Sequence, residues 1–264
     1  MLTHATITTT LRAAGCVFAE DEADLLIAAA GSPAALTAMV ARRAGGHPLE
    51  QVLGWAGFLG HRIALAPGVF VPRRRTEFLA ATAISLTPPG ATVLDLCCGS
   101  GAVAVALAAA VPGLEVHACD LDPAATACAR GNLPGATIHT GDLFAPLPAS
   151  LRGRLATLIA NTPYVPTGEI PFLPPEARDH EPRSALDGGP DGLDLQRRVA
   201  AEAPVWLAPG GHLLVETSLA QAPVTAAFFA GNGLTSRIME DEALGATIVV
   251  GTRPGRDPRS QLVS

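Results

Sequence analysis

The stretch Val93-Leu94-Asp95-Leu96-Cys97-Cys98-Gly99-Ser100-Gly101 reads as a short buried strand running into a glycine-rich turn that opens a helix. Glycines there let backbone amides come close to a ligand and set it at the N-terminal end of the helix Ala102 to Ala110. Asp95, inside the run, is costly to place at the end of a buried strand without a polar partner. The next strand, Glu115 to Cys119, is followed by Asp120, about 20 residues past the glycines, an offset at which an acid can accept from two ribose hydroxyls. Asp142, in Gly141-Asp142-Leu143-Phe144 after a third strand, is placed to face an adenine amino group. Together the glycines and the two acids predict a nucleotide-shaped ligand, with no phosphate required.

Outward from this stretch the chain alternates strand and helix signals. Strands are expected at Thr92 to Leu96, Glu115 to Cys119, Ala136 to His139, Leu155 to Ala160, His212 to Glu216, Thr235 to Met239 and Ala246 to Gly251. Asp122-Pro123 supplies an N-cap and first residue for a helix, and further helices are expected around Leu193 to Ala203 and Ala220 to Ala230. A Pro-rich stretch runs from Pro163 to Pro190. Alternating βα units that end in two adjacent strands predict an α/β fold: a doubly wound, mostly parallel, seven-stranded sheet with one antiparallel strand near an edge. Before it, Leu11, Ala14 and Phe18, then Leu25, Leu26 and Ala29, fall near helical spacing, and Gly31-Ser32-Pro33 stops one helix and starts another. Phe58-Leu59 and Ile63-Ala64-Leu65 around Gly60-His61 read as a hairpin. The last dozen residues, rich in Arg, Pro and Ser, read as a mobile tail.

Composition narrows the function. The 264 residues are 48% hydrophobic with only 4% aromatics, so the core is built mostly from Ala, Val and Leu. The longest small-apolar run, Gly101 to Val111, falls short of the ~20 residues a bilayer span needs, and residues 1–10 lack the pattern of a secretory signal. A cytoplasmic protein is expected, with no membrane partner. A formal net charge of −6 argues against tight non-specific nucleic-acid binding. All 18 basic residues are Arg, which excludes lysine catalysis. Five cysteines without CxxC spacing read as reduced, buried thiols; the seven histidines are scattered, and no metal-ligand cluster is apparent.

Leu158-Ile159-Ala160-Asn161-Thr162-Pro163-Tyr164 places an Asn, a peptide carbonyl and an aromatic ring at a strand end. With the D-x-x-x-G-x-G turn and the acid after the second strand, this Asn-Pro-Pro-Tyr-like motif resembles class I S-adenosylmethionine-dependent methyltransferases acting on planar nitrogens. The resemblance narrows over almost the whole chain. Val52-Leu53-Gly54, Pro67-Gly68-Val69-Phe70-Val71-Pro72-Arg73 with Thr76-Glu77, Glu181-Pro182-Arg183-Ser184-Ala185-Leu186, Asp191-Gly192-Leu193-Asp194, and Pro209-Gly210-Gly211 ahead of Glu216 are similar to the protein-(glutamine-N5) methyltransferases that modify release factors.

The resemblance implies a Rossmann-like class I methyltransferase domain over 73–264, preceded by a helical substrate-docking domain over 1–55 and a β-hairpin linker over 56–72. It implies S-adenosyl-L-methionine as cofactor, held by Asp95, Cys97, Cys98, Gly99, Ser100, Gly101, Asp120, Leu121, Asp142, Leu143, Asn161 and Thr76. The catalytic set it implies is Asn161, Thr162, Pro163 and Tyr164: the Asn161 side-chain oxygen and the Thr162 carbonyl accept from a substrate amide, and Tyr164 packs on its planar face. The implied partner is a peptide chain release factor, with the enzyme a monomer and no direct nucleic-acid contact. Two departures stand out. Thr162 replaces a proline, which keeps the carbonyl but loses the fixed φ. Arg73-Arg74-Arg75-Thr76 replaces an Arg-Pro-acid-Thr pattern and reads either as a solvated turn or as a contact for an acidic partner. The alternatives are a nucleic-acid amino-methyltransferase, because an exocyclic NH₂ presents the same two hydrogens, and a cofactor-binding protein without turnover.

Overall fold

The computed structural model describes residues 2–255. The part of the expected C-terminal tail from residue 256 onward lies outside the described residues.

The chain opens with four helices, α1 (His4–Ala13), α2 (Ala19–Ala29), α3 (Pro33–Ala44) and α4 (Leu49–Leu53). Side chains set their starts: Thr3 accepts from the Thr6 amide and Ser32 from the Ala35 amide, with Pro33 in the first turn of α3. Ile7, Leu11, Ala23, Leu26, Val40 and Val52 make their shared core. Leu11 and Leu26 are buried as expected, but Phe18 is 68% exposed. The helical spacing does not run through to Phe18 because α1 ends at Ala13 and Gly15 turns the chain at φ 90°.

One ion pair ties this unit together and to the rest of the molecule. The buried Arg43 guanidinium bonds both oxygens of Glu22, at 2.5 and 3.0 Å, and reaches Glu176 at 2.6 Å. Strands β1 (Trp55–Phe58) and β2 (His61–Ala64) follow as the expected hairpin, starting three and two residues earlier than the apolar pairs suggest, with Leu59 in the turn. Leu59 and Gly60 both turn with positive φ, the geometry of a tight two-residue hairpin, and the Leu59 amide donates to Glu77. Asn132 clamps the hairpin by bonding both the amide and the carbonyl of Ala64.

The helix α5 (Thr76–Leu86) has no counterpart in the sequence reading. Thr76, Leu79, Ala80, Thr82 and Ala83 are buried, so the helix shows little polar-to-apolar contrast to mark it. Then come β3 (Thr92–Leu96), α6 (Ala102–Ala110), β4 (Glu115–Asp120), α7 (Pro123–Asn132), β5 (Thr137–Thr140), β6 (Leu155–Ala160), α8 (Pro175–His180), α9 (Asp194–Trp206), β7 (Leu207–Thr217), α10 (Ala222–Gly231), β8 (Thr235–Asp241) and β9 (Ala246–Thr252). The seven-stranded sheet has the order β5-β4-β3-β6-β7-β9-β8. Its strands are parallel except β9, which runs antiparallel to β7 and β8 and sits one place in from the edge.

Period-two alternation along the central strands splits the core between two layers. Leu94, Leu96, Leu158 and Leu213 pack with Val199 and Trp206 of α9 and Phe229 of α10. Val93, Ile159 and Leu214 pack with Leu79 of α5 and Leu107 of α6. Leu96 is in register with Cys119 on one side and Ala160 on the other, and Ala160 with Val215. The residues one step further, Cys97, Asp120, Asn161 and Glu216, therefore emerge together at the carboxyl end of the sheet, where open α/β sheets bind their ligands.

Replacing Arg43 by Ala leaves Glu22 buried without its partner, and the expected cost is about 3–5 kcal/mol. The double replacement Glu22→Leu with Arg43→Met costs less than the single one. Urea denaturation of the two variants measures the difference.

Candidate active site

The turn after β3 is built from positive-φ residues: Cys97 at 56°, Gly99 at 54° and Gly101 at 80°. Gly101 tolerates no side chain, since a Cβ there would lie 2.9 Å from Leu133 Cδ1 and 3.3 Å from Ala129 Cβ of α7. The turn is joined to β4 by two hydrogen bonds, from the Cys98 amide to the Cys119 carbonyl at 3.1 Å and from the Gly99 amide to Asp120 Oδ2 at 2.9 Å. Asp120 Oδ1 accepts from the Asp122 amide at 2.9 Å. Burial raises the Asp120 pKa, and these backbone donors pull against that. Each carboxylate oxygen has two lone pairs, so Asp120 keeps acceptor capacity for the hydroxyls of a ribose.

Asp95 is 3% exposed, and its Oδ2 accepts from the Ala104 amide in the first turn of α6 at 3.2 Å. Burial pushes its pKa up to about 7, with the Ala104 bond opposing and the Asp120 charge adding to the rise. Burial also pushes the Cys97 and Cys98 thiols well up, and Cys119 to about 12, so these groups are protonated and inert rather than nucleophilic. Leu143, buried at φ 47°, offers its carbonyl to the Cys119 thiol. Leu121 is 63% exposed at the cavity wall. Asp142 lies on the same wall, where its Oδ2 accepts from Arg198 of α9 at 2.7 Å.

These residues line one cavity of ≈ 660 Å³, which also takes in Thr76, Ser100, Asn161, Thr162, Pro163 and Tyr164. The volume is within the usual range of small-molecule sites. Gly101 instead faces Leu133 and Ala129 of α7, but the other predicted site residues all line this cavity. Thr76 and Asn161 meet there: Asn161 Nδ2 donates to the buried Thr76 hydroxyl at 3.3 Å, which turns the other end of the carboxamide, Oδ1, away from that bond. Thr162 is 2% exposed, and its hydroxyl has no hydrogen-bond partner. The backbone behind this motif is held by the run Asp187 to Gly192. Val165 pairs with Leu186 and Gly188, and Gln221 Nε2 donates to the Tyr164 carbonyl at 3.0 Å. A Cβ on Gly188 would lie 2.7 Å from the Pro163 oxygen, and one on Gly192 would strike the Tyr164 carbonyl, so the Gly-Gly-Pro-Asp-Gly run is there to let two backbones touch.

Sequence reasoning missed the partners of Tyr164. Its hydroxyl donates to Glu216 Oε1 at 3.0 Å, and Arg75 Nε donates to the same oxygen at 3.1 Å, with the guanidinium carbon 5.8 Å from the Tyr164 ring centre. Burial, with the Glu216 charge adding, raises the Tyr164 pKa and keeps the phenol protonated. Arg73 donates to Glu181, which also accepts from the Val71 amide. The arginine run is therefore only partly a solvated turn, since Arg73 and Arg75 are tied to buried acids. The signal in sequence was the two acids, Glu181 and Glu216, inside motifs otherwise read for their glycines and prolines.

Among the described residues no group of three or more His, Cys, Asp or Glu could hold a metal ion, and no helix is long and apolar enough to cross a membrane. Residues 61–170 match the family described as Methyltransferase small domain. The chain is 40% identical to the release factor glutamine methyltransferase of Geobacter sulfurreducens over 84% of its own length and 78% of the relative's. It is 38% identical to the 4-amino-L-phenylalanine/4-methylamino-L-phenylalanine methyltransferase of Streptomyces pristinaespiralis, over 74% of this chain and 69% of that one. A solved methyltransferase from Pyrococcus furiosus shares the fold at a TM-score of 0.57 and 14% identity, covering 74% of this chain and 90% of the other. A class I sheet, a glycine turn with acids at the next strand ends, and this level of identity over most of both chains converge: the chain belongs to the release factor glutamine methyltransferase family and uses S-adenosylmethionine as its methyl donor.

Proposed function

We propose that this protein transfers a methyl group to the side-chain amide nitrogen of a protein glutamine, in the Gly-Gly-Gln loop of a peptide chain release factor. The observation that carries this reading is the Asn161 carboxamide, which gives an N–H to Thr76 and leaves its oxygen as an acceptor in the cavity that Tyr164 also lines. S-adenosylmethionine, when bound, supplies an electrophilic methyl on a sulfonium. Asp120 and the glycine-rich turn 97–101 would hold its nucleoside end, with Asp142 on the same cavity wall to meet the base.

An amide nitrogen is a weak nucleophile because its lone pair is delocalised. Asn161 Oδ1 and the Thr162 carbonyl, accepting its two hydrogens, orient that lone pair and offset the positive charge that develops as the N–C bond forms and the S–C bond breaks. The nitrogen then loses one of these two protons along the bond that held it, to solvent. Tyr164 keeps the amide plane fixed from one side. Thr162 supplies the same carbonyl a proline would, with a less restricted backbone, so the acceptor pair is complete.

Incubation with methyl-labelled S-adenosylmethionine and purified release factors, followed by peptide mass spectrometry, tests the reading. Label on the Gly-Gly-Gln glutamine is the expected outcome; cofactor binding with every release factor unlabelled overturns it. A primary amine on a free aromatic amino acid is the second arm of the same assay, suggested by the Streptomyces relative's name. Asn161→Ala is expected to abolish methylation while cofactor affinity, read by calorimetry, stays within about threefold, because the change removes one neutral acceptor from the amide side.

Asp95 makes a pH-dependent prediction. Its folded pKa, about 7, lies above the ordinary 3.8, so folding favours its protonated form. The stability this contributes is fully present below pH 3.8 and is lost as pH climbs through about 7. Relative to wild type, Asp95→Asn in the cofactor-free enzyme is therefore expected to gain stability across that window and to level off above it. Urea unfolding at a series of pH values checks this; a difference that does not change with pH would show that Asp95 is ionised throughout.

A further inference from the structure

Glu216 is the most enclosed charged side chain at the cavity, 1% exposed, and it is only half used. Both of its hydrogen bonds, from the Tyr164 hydroxyl and from Arg75 Nε, fall on Oε1. Oε2 is buried and has no partner. A buried carboxylate oxygen without a donor is a costly arrangement, and its natural relief is a donor that arrives with a ligand. Arg75 stands beside it as a half-exposed guanidinium that spends one of its five N–H donors on Glu216. Acceptor and donor thus stand side by side in the cavity wall, with Tyr164 bonded to the same carboxylate.

One acceptor next to spare donors is the complement of a peptide unit, which carries one N–H and one C=O. We infer that the Glu216–Arg75 pair grips the main chain of the residue being methylated, with Glu216 Oε2 accepting from its backbone N–H and Arg75 donating to a neighbouring backbone carbonyl. This rests on the reading of a protein glutamine as substrate and adds to it a second point of attachment. The side chain is fixed by Asn161 and Thr162, and the main chain by Glu216 and Arg75. Two anchors on either side of a flexible glutamine side chain also fix its extension, so the amide arrives at one depth in the cavity. Arg75 does this where the related pattern has an acid. Two acids facing each other would repel, whereas Arg75 balances the Glu216 charge and leaves its second oxygen free for the substrate.

The pair can be separated from a merely structural role by two variants assayed with an intact release factor. Glu216→Gln keeps the shape and an acceptor for the Tyr164 hydroxyl but can turn an NH₂ toward the substrate's N–H. It is expected to raise KM for the release factor at least tenfold while S-adenosylmethionine affinity, which reports a folded site, stays within twofold. Tyr164→Phe leaves Glu216 in place and frees the ring, so its loss is expected in kcat and its KM within threefold of wild type. If Glu216 served only to hold Tyr164, the two variants would show the same split; that result, or an unmoved KM in Glu216→Gln, overturns the inference. Wild-type enzyme that labels no release factor glutamine would instead overturn the substrate reading, and the main-chain grip with it.

Discussion

The site depends first on the bond from the Gly99 amide to the Asp120 carboxylate. β3 and β4 are parallel neighbours, and their ends would otherwise diverge as each chain leaves the sheet for its own helix. By accepting from Gly99 with one oxygen and from Asp122 with the other, Asp120 sets the turn before α6 and the turn before α7 in a single frame. The Cys98 amide on the Cys119 carbonyl closes the same gap from the backbone side. Close packing of Gly101 against Ala129 and Leu133 then fixes the distance between the two helices. The shape of this side of the cavity follows from one carboxylate that is bonded to the backbone before any ligand arrives, which lowers the cost of ordering a site on binding.

The Asn161–Tyr164 side of the cavity is built differently. Asn161 and Tyr164 leave β6 on a segment with no regular structure, and they are held by groups distant in the chain: Thr76 from α5, Glu216 from β7, Gln221 next to α10. Each of these partners is at the end of a rigid element. The motif is thus a loop whose conformation is dictated by its surroundings, and the glycines at 188 and 192 remove the side chains that would keep the second loop away from it.

The legibility of the sequence follows this division. β3, α6 and β6 could be read to the residue and α7 at its start, because local features mark them: a glycine turn, an Asp-Pro start, a short apolar run between polar ends. The candidate residues were legible for the same reason, since strand ends locate them. What could not be read has no local mark. α5 is apolar on several faces and so lacks the contrast that betrays a surface helix. β7 begins at Leu207, ahead of Pro209 and Gly210, residues that ordinarily argue against a strand. The pairing of Arg75 with Glu216 joins positions 141 apart in the chain, and only the packing of α5 against β7 brings them together. Phe18 shows the reverse error, an apolar residue assigned to a helix that had already ended.

The Arg43 guanidinium is bonded on one side to Glu22 and on the other to Glu176, and the two contacts differ in kind. Glu22 has a side-chain exposure of 10%, whereas Glu176 is 49% exposed. Water competes for the second bond and scarcely reaches the first. α8, which carries Glu176 to the wall of the cavity, thus has the weaker of the two ionic links to the N-terminal helices. The stack of His180 on His47, with ring centres 4.2 Å apart, holds the far end of the same short helix, so α8 rests on the helical unit through one exposed ion pair and one ring contact, while the Arg43–Glu22 pair beneath it stays shielded.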